Sequence, residues 1–139
     1  MRCVIDTNVI ISALLFPSGT PGKALVRALS KPNEIVICEY ILEEVATSCR
    51  RKNLASEDDI KDMIQMMRDF ATVVETPSDL LSVAGEEKIR DSKDRVIFRT
   101  AVRQTADCII SGDSDVLEAD FKGISLLSPA EFLKLYKDG

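Results

Sequence analysis

The chain has 139 residues, 23 acidic against 18 basic, a net charge of −5 and no histidine. That length suits one domain spanning 1–139, and an apolar share of 45% excludes a disordered chain. The missing histidine excludes Ser-His and Cys-His nucleophilic centres, imidazole general bases and His-ligated metals, while the acidic balance argues against a broad basic surface for nucleic acid.

Arg2–Asp6 reads as the first strand, an apolar run that ends in Asp6, with Thr7-Asn8 as a small polar turn. Ser18-Gly19-Thr20-Pro21 is a turn that caps a helix, with Thr20 as N-cap, Pro21 at the first helical position and an apolar stripe of Ala24, Leu25, Ala28 and Leu29. Lys31-Pro32-Asn33 ends it, and Ile35–Cys38 is the second strand. A helix from about Glu39 to Lys52 follows, striped by Ile41, Leu42, Val45, Ala46 and Cys49. Ser56 caps a third helix with Glu57, Asp58 and Asp59 in its first turn, and Ile60, Met63, Ile64, Met67 and Phe70 form its core face. Thr72–Glu75 is a third strand, and Thr76–Asp94 is irregular, broken at Gly85. Arg95–Thr105 is a buried helix, Cys108–Ser111 the fourth strand, Asp115–Ala119 a short helix and Ile124–Leu127 the fifth strand. Ser128-Pro129 starts a final helix through Phe132, Leu133 and Tyr136.

Apolar strands alternating with helices specify an α/β fold: three layers, α/β/α, around a central parallel sheet of about five strands. No apolar run reaches the ~18 residues of a membrane span. No secretory signal is visible, so a cytoplasmic protein is expected. The four cysteines Cys3, Cys38, Cys49 and Cys108 form no CxxC pair and read as small buried hydrophobes in a reducing compartment.

The chemistry lies in the acids. In an open parallel sheet, ligands bind beyond the carboxyl ends of the strands, where the winding direction reverses. If the first three strands wind one way and the last two the other, Asp6 and Asp113 end neighbouring strands at that reversal. Each alone would be a turn or helix cap; together they suggest a site. Glu43 and Glu44 flank the apolar stripe of their helix equally, so periodicity does not choose between them. Asp91 and Asp94 both precede the buried helix, and either fits its N-cap.

Val4-Ile5-Asp6-Thr7-Asn8-Val9, Leu42-Glu43-Glu44-Val45, Asp91-Ser92-Lys93-Asp94-Arg95-Val96-Ile97 and Ala106–Asp115, taken in order with the ending Ile124–Leu133, resemble the PIN-domain family. The likeness is to its bacterial and archaeal toxin branch, the VapC-type ribonucleases. It implies strand order 3-2-1-4-5, a metal-dependent ribonuclease acting on single-stranded or structured RNA, a cognate antitoxin and a homodimer. Matched by position, the catalytic and metal-binding acids are Asp6, Glu44, Asp94 and Asp113, with Asp115 a further metal ligand. Thr7 and Ser111 match the family's small residues beside the acids. Cys49 stands where leucine is common, and Ser111 where threonine is.

Without histidine, carboxylates must recruit positive charge as one or two Mg²⁺ or Mn²⁺ ions, for which all-oxygen ligation is suited. Arg95 and Arg99, in a group with Arg90, Lys93 and Arg103, are expected to contact substrate phosphates, with Thr7, Asn8 and Ser111 completing the substrate contacts. The competing readings are a catalytically inactive PIN-like module that binds RNA or protein, and a phosphoacceptor or receiver domain. The latter is disfavoured by Thr7 and Asn8 after Asp6 and by the lack of a lysine ending the fifth strand.

Overall fold

The structure, a computed structural model, describes residues 1–135. Five parallel strands form one sheet: β1 (Arg2–Ile5), β2 (Glu34–Cys38), β3 (Thr72–Val74), β4 (Cys108–Ile110) and β5 (Ser125–Leu127). Their order is β3-β2-β1-β4-β5, with the winding reversal between β1 and β4. Helices α1 (Thr7–Leu15), α2 (Thr20–Leu29), α3 (Glu39–Arg51), α4 (Glu57–Phe70), α5 (Ser92–Arg103), α6 (Ser114–Leu117) and α7 (Pro129–Lys134) flank it.

Central strands covered on both faces must be apolar throughout. Cys3, Val4 and Ile5 of β1, Cys108, Ile109 and Ile110 of β4, and Ile35 to Cys38 of β2 are all fully buried. Cys3 pairs with Cys108, Val4 with Ile109 and Ile5 with Ile110. The Asp6 N–H still donates to the Ile110 carbonyl at 2.9 Å, and the Ser111 N–H to Leu127 at 3.0 Å. The ladder therefore carries Asp6 and Ser111 rigidly to the carboxyl edge. All four cysteines are buried free thiols. No single helix among the described residues is long and apolar enough to cross a bilayer.

One element was not expected. The chain enters α1 directly after Asp6, so Thr7-Asn8 is the first turn of a helix rather than an isolated turn. Val9, Ile10 and Ile11 are consecutive and all buried; a continuous β-branched run shows no helical period and has low helix propensity. Packing against α2 and α3 overrides both.

Other boundaries move by a residue or more. Gly19, not Thr20, is the N-cap of α2. The most consequential shift is α5, which begins at Ser92 with Asp91 as its N-cap, the Asp91 side chain accepting from the Lys93 N–H at 2.9 Å. Its first turn is Ser-Lys-Asp and shows no apolar periodicity. Asp94 is therefore inside the helix, not before it. The stretch 75–91 holds two single 3₁₀ turns, Asp79–Leu81 and Glu86–Lys88. Gly85 enters the second at φ +93°, with Phe121 against its α-carbon face, a conformation costly for any other residue. Ser56 caps α4 as expected, and Ser128 forms a full capping box with Glu131. Tyr136 lies outside the described residues.

Candidate active site

Four elements converge at the carboxyl edge. β1 ends in Asp6, α3 presents Glu44, α5 presents Asp94, and the β4–α6 turn presents Asp113. All four line one pocket of about 160 Å³, with Thr7, Asn8, Tyr40, Ser48, Asp91 and Lys93 among the other walls. That is room for several waters or a partly hydrated ion, each water needing ~10–15 Å³. Glu43, one residue from Glu44, faces a separate groove beside Arg50 and Arg68, because successive helical positions diverge by 100°.

Ser111 ties the two strand-end acids together. Its hydroxyl is fully buried, donates to Asp6 Oδ2 at 2.7 Å and accepts the Asp113 N–H at 3.0 Å. It is a clasp, not a substrate contact. Asp113 also caps α6, its Oδ1 accepting the Asp115 N–H at 2.9 Å. Cap and pocket acid are the same residue here.

The electrostatics follow from packing carboxylates into a half-enclosed space. Burial is the main cause that lifts the Asp6 carboxyl above its usual range; the charge of Asp113 adds to it, while hydrogen bonds from Ser111 and the Thr7 backbone oppose it. Asp94 is pushed up to about 6, first by burial and then by Asp6, Asp91, Asp113 and Asp115. Tyr40 is pushed up to about 12 by burial and by Glu44 one turn along α3. A cation would relieve the repulsion among these carboxylates.

The donor set fits a hard divalent ion: every pocket acid offers oxygen, and no soft ligand lines the walls. Among the described residues no three acids stand within joint ligating range. In this conformation no more than two of them could ligate one ion together, which would leave the others to contact its water shell. Asp115 is exposed at the first turn of α6 and does not line the pocket.

Two arginines expected to meet substrate are engaged elsewhere. Arg99 is 3% exposed. It pairs with the buried Glu86 through Nη2 and, at 3.0 Å, through Nε, and its Nη1 reaches Asp79 at 2.9 Å. Arg95 Nε donates to the Ile89 carbonyl at 2.8 Å. Both stitch the 75–91 connection to α5. No pattern along the chain signals this, because Glu86 sits in a segment without periodicity. Of that basic group, Lys93 lines the pocket. Tyr40, also in the wall, was not expected as a site residue; its i, i+4 spacing to Glu44 was the one available signal.

Ser111→Ala removes a fully buried hydroxyl with two partners. The expected cost is ~1–3 kcal/mol of stability and ~10–100-fold in whatever activity depends on Asp6, the usual toll of losing a support to a ligand. Urea melts and turnover of the same variant check both; an unchanged melt and unchanged turnover would show the clasp to be idle.

Comparison with known proteins came to the same region of fold space. A PIN domain family model matches residues 2–115. An uncharacterized protein of Methanocaldococcus jannaschii is 30% identical over 139 residues, covering 97% of this chain and 81% of its own. VapBC2 from Rickettsia felis, solved with a promoter DNA fragment, superposes with a TM-score of 0.67 at 12% identity, over 92% of this chain and 98% of that one. Mycobacterium tuberculosis VapC20, a Sarcin-Ricin loop cleaving toxin, gives 0.60 at 16%, over 88% and 98%. A PilT N-terminus domain protein from the archaeon Sulfolobus solfataricus gives 0.58 at 16%, over 100% and 96%.

Proposed function

The chain belongs to the PIN domain family, and from that premise we propose that it is a Mg²⁺- or Mn²⁺-dependent endoribonuclease. The observation that carries the reading is the convergence of Asp6, Glu44, Asp94 and Asp113 from four elements on one pocket, with the Asp6 and Asp94 carboxyls both held above their usual range. Carboxylates brought together at such cost are poised for a cation. When bound, the ion supplies positive charge opposite the phosphoryl oxygens and makes water more acidic. Asp6 and Asp113 would hold it directly. Glu44 and Asp94 would contact it through water, placed to orient the nucleophile and take its proton. Tyr40 and Thr7 shape the wall around it.

The further reading, the toxin of a toxin–antitoxin pair that acts in the cytoplasm with a cognate antitoxin and forms a homodimer, draws on the likeness in fold to VapBC2 and VapC20. Incubating single-stranded RNA with the protein, with and without Mn²⁺, tests the nuclease; endonucleolytic products that require the ion support it, and none at any ion concentration would refute it.

Metal binding also has a pH signature. Asp94 has a folded value of about 6 against an ordinary 3.8, so between these values the folded state holds the extra proton. The metal-free fold therefore loses stability as pH rises from about 4 to about 6, then levels off. Mg²⁺ compensates only where the acids are ionised. The melting temperature is expected to rise with millimolar Mg²⁺ at pH 7.5 and to rise much less at pH 5. Equal shifts at both pH values, or none at either, count against the site.

A further inference from the structure

The acid pocket must admit a polyanion, and no arginine lines it. Arg99 is buried with Glu86 and Asp79, and the Arg95 Nε is bound to a backbone carbonyl. Among the residues that line the pocket, Lys93 is the sole cation. Its side chain is exposed and forms no ion pair among the described residues, although Asp91 and Asp94 flank it on the same helix end. Helix stability does not account for its position. Lys93 is the second residue of α5, where the macrodipole disfavours a cation. A compact ammonium on a flexible four-carbon stem suits a phosphate oxygen approached from solvent.

We propose that Lys93 binds a backbone phosphate of single-stranded RNA at the mouth of the acid pocket. The inference rests on the nuclease reading for its choice of ligand. Lys93 is a substrate-binding residue in this account, and its ammonium offsets the repulsion that five pocket carboxylates exert on an incoming strand.

The test uses the full chain carrying Asp6→Asn, so that RNA stays intact, with a short fluorescein-labelled single-stranded RNA in Mg²⁺ and salt varied between 50 and 200 mM. Adding Lys93→Met should weaken binding about tenfold at low salt, as one charged contact implies. It should also flatten the slope of log K against log salt by ~0.7, the release expected for one single-strand phosphate. Lys93→Arg should restore both. An unchanged slope with Lys93→Met, or no RNA binding by the parent, overturns the proposal. A lysine that only screens the carboxylates would instead shift Mn²⁺ affinity and leave the slope alone, which overturns it too. If wild-type protein fails to cleave RNA while the Lys93 dependence holds, the nuclease reading falls and the phosphate contact stands.

Discussion

Asp6→Asn is expected to yield a folded protein whose RNA cleavage falls by at least ~100-fold, and which melts higher than wild type when metal is absent. The two effects have one origin. Asp6 sits at the end of a fully buried strand, and burial with the charge of Asp113 already disfavours its ionised form. Asparagine keeps the shape and still offers an oxygen to the Ser111 hydroxyl. What it removes is the charge, hence the repulsion among the pocket acids and, on the proposed reading, one ligand for a cation. Relief of about 1 kcal/mol corresponds to ~4 °C in a domain of this size. The Mg²⁺-induced rise in melting temperature should mostly vanish with it. Paired turnover and thermal melts read both directions at once. Equal cleavage by wild type and variant, or by neither, would favour a binding module that keeps its acids for other reasons. A variant that melts lower would show Asp6 to be structural first.

The other large effect lies outside the pocket. Arg99 and Glu86 are both nearly inaccessible, and Glu86 also accepts the Val83 N–H at 2.8 Å. Glu86→Ala leaves a buried guanidinium without its main partner. Removing one member of such a pair costs ~3–5 kcal/mol, which puts the melting temperature lower by ~10 °C or more. Asp79 touches the same guanidinium, but its side chain is 91% exposed, so Asp79→Ala should cost less than ~1 kcal/mol. Replacing both charges, Arg99→Met with Glu86→Leu, should recover most of the loss, since the desolvation of two ions goes with them. Urea titrations of the three variants decide it. If Glu86→Ala were as mild as Asp79→Ala, the pair would not hold the 75–91 connection, and the expectation that Arg99 serves the substrate would regain ground.

Much of this fold was legible because burial on both faces leaves a plain signature. Runs such as Val4-Ile5 and Cys108-Ile109-Ile110 admit few readings, and the caps at Ser56 and Ser128 announced their helices. What escaped had no periodicity to offer. The Val9-Ile10-Ile11 run hid α1, and the polar opening of α5 hid three of its residues. Among site residues, Asp6 and Asp113 could be read from strand ends alone. Glu44 over Glu43 needed the family pattern, and the backbone then put Glu44 on the pocket side. Asp94 was matched on the ground that it precedes its helix, yet it lies within the first turn; the residue that precedes the helix is Asp91, and both acids reach the pocket. The fates of Arg95 and Arg99 were not legible at all, because a pairing between Glu86 and Arg99 depends on how an irregular loop folds back.

The Ser111 clasp also has a bearing on how the chain is made. Asp6 emerges near the start of synthesis, but the hydroxyl that fixes it and the acid beside it arrive 105 and 107 residues later. β1 has no β4 to lie against until that point, since the two strands pair only across the whole intervening length. A nascent or prematurely terminated chain that stops short of Ser111 carries Asp6, Glu44 and Asp94 with no edge to assemble them on. A chain cut short of Ser111 thus lacks both the hydroxyl that holds Asp6 and the fourth acid of the pocket.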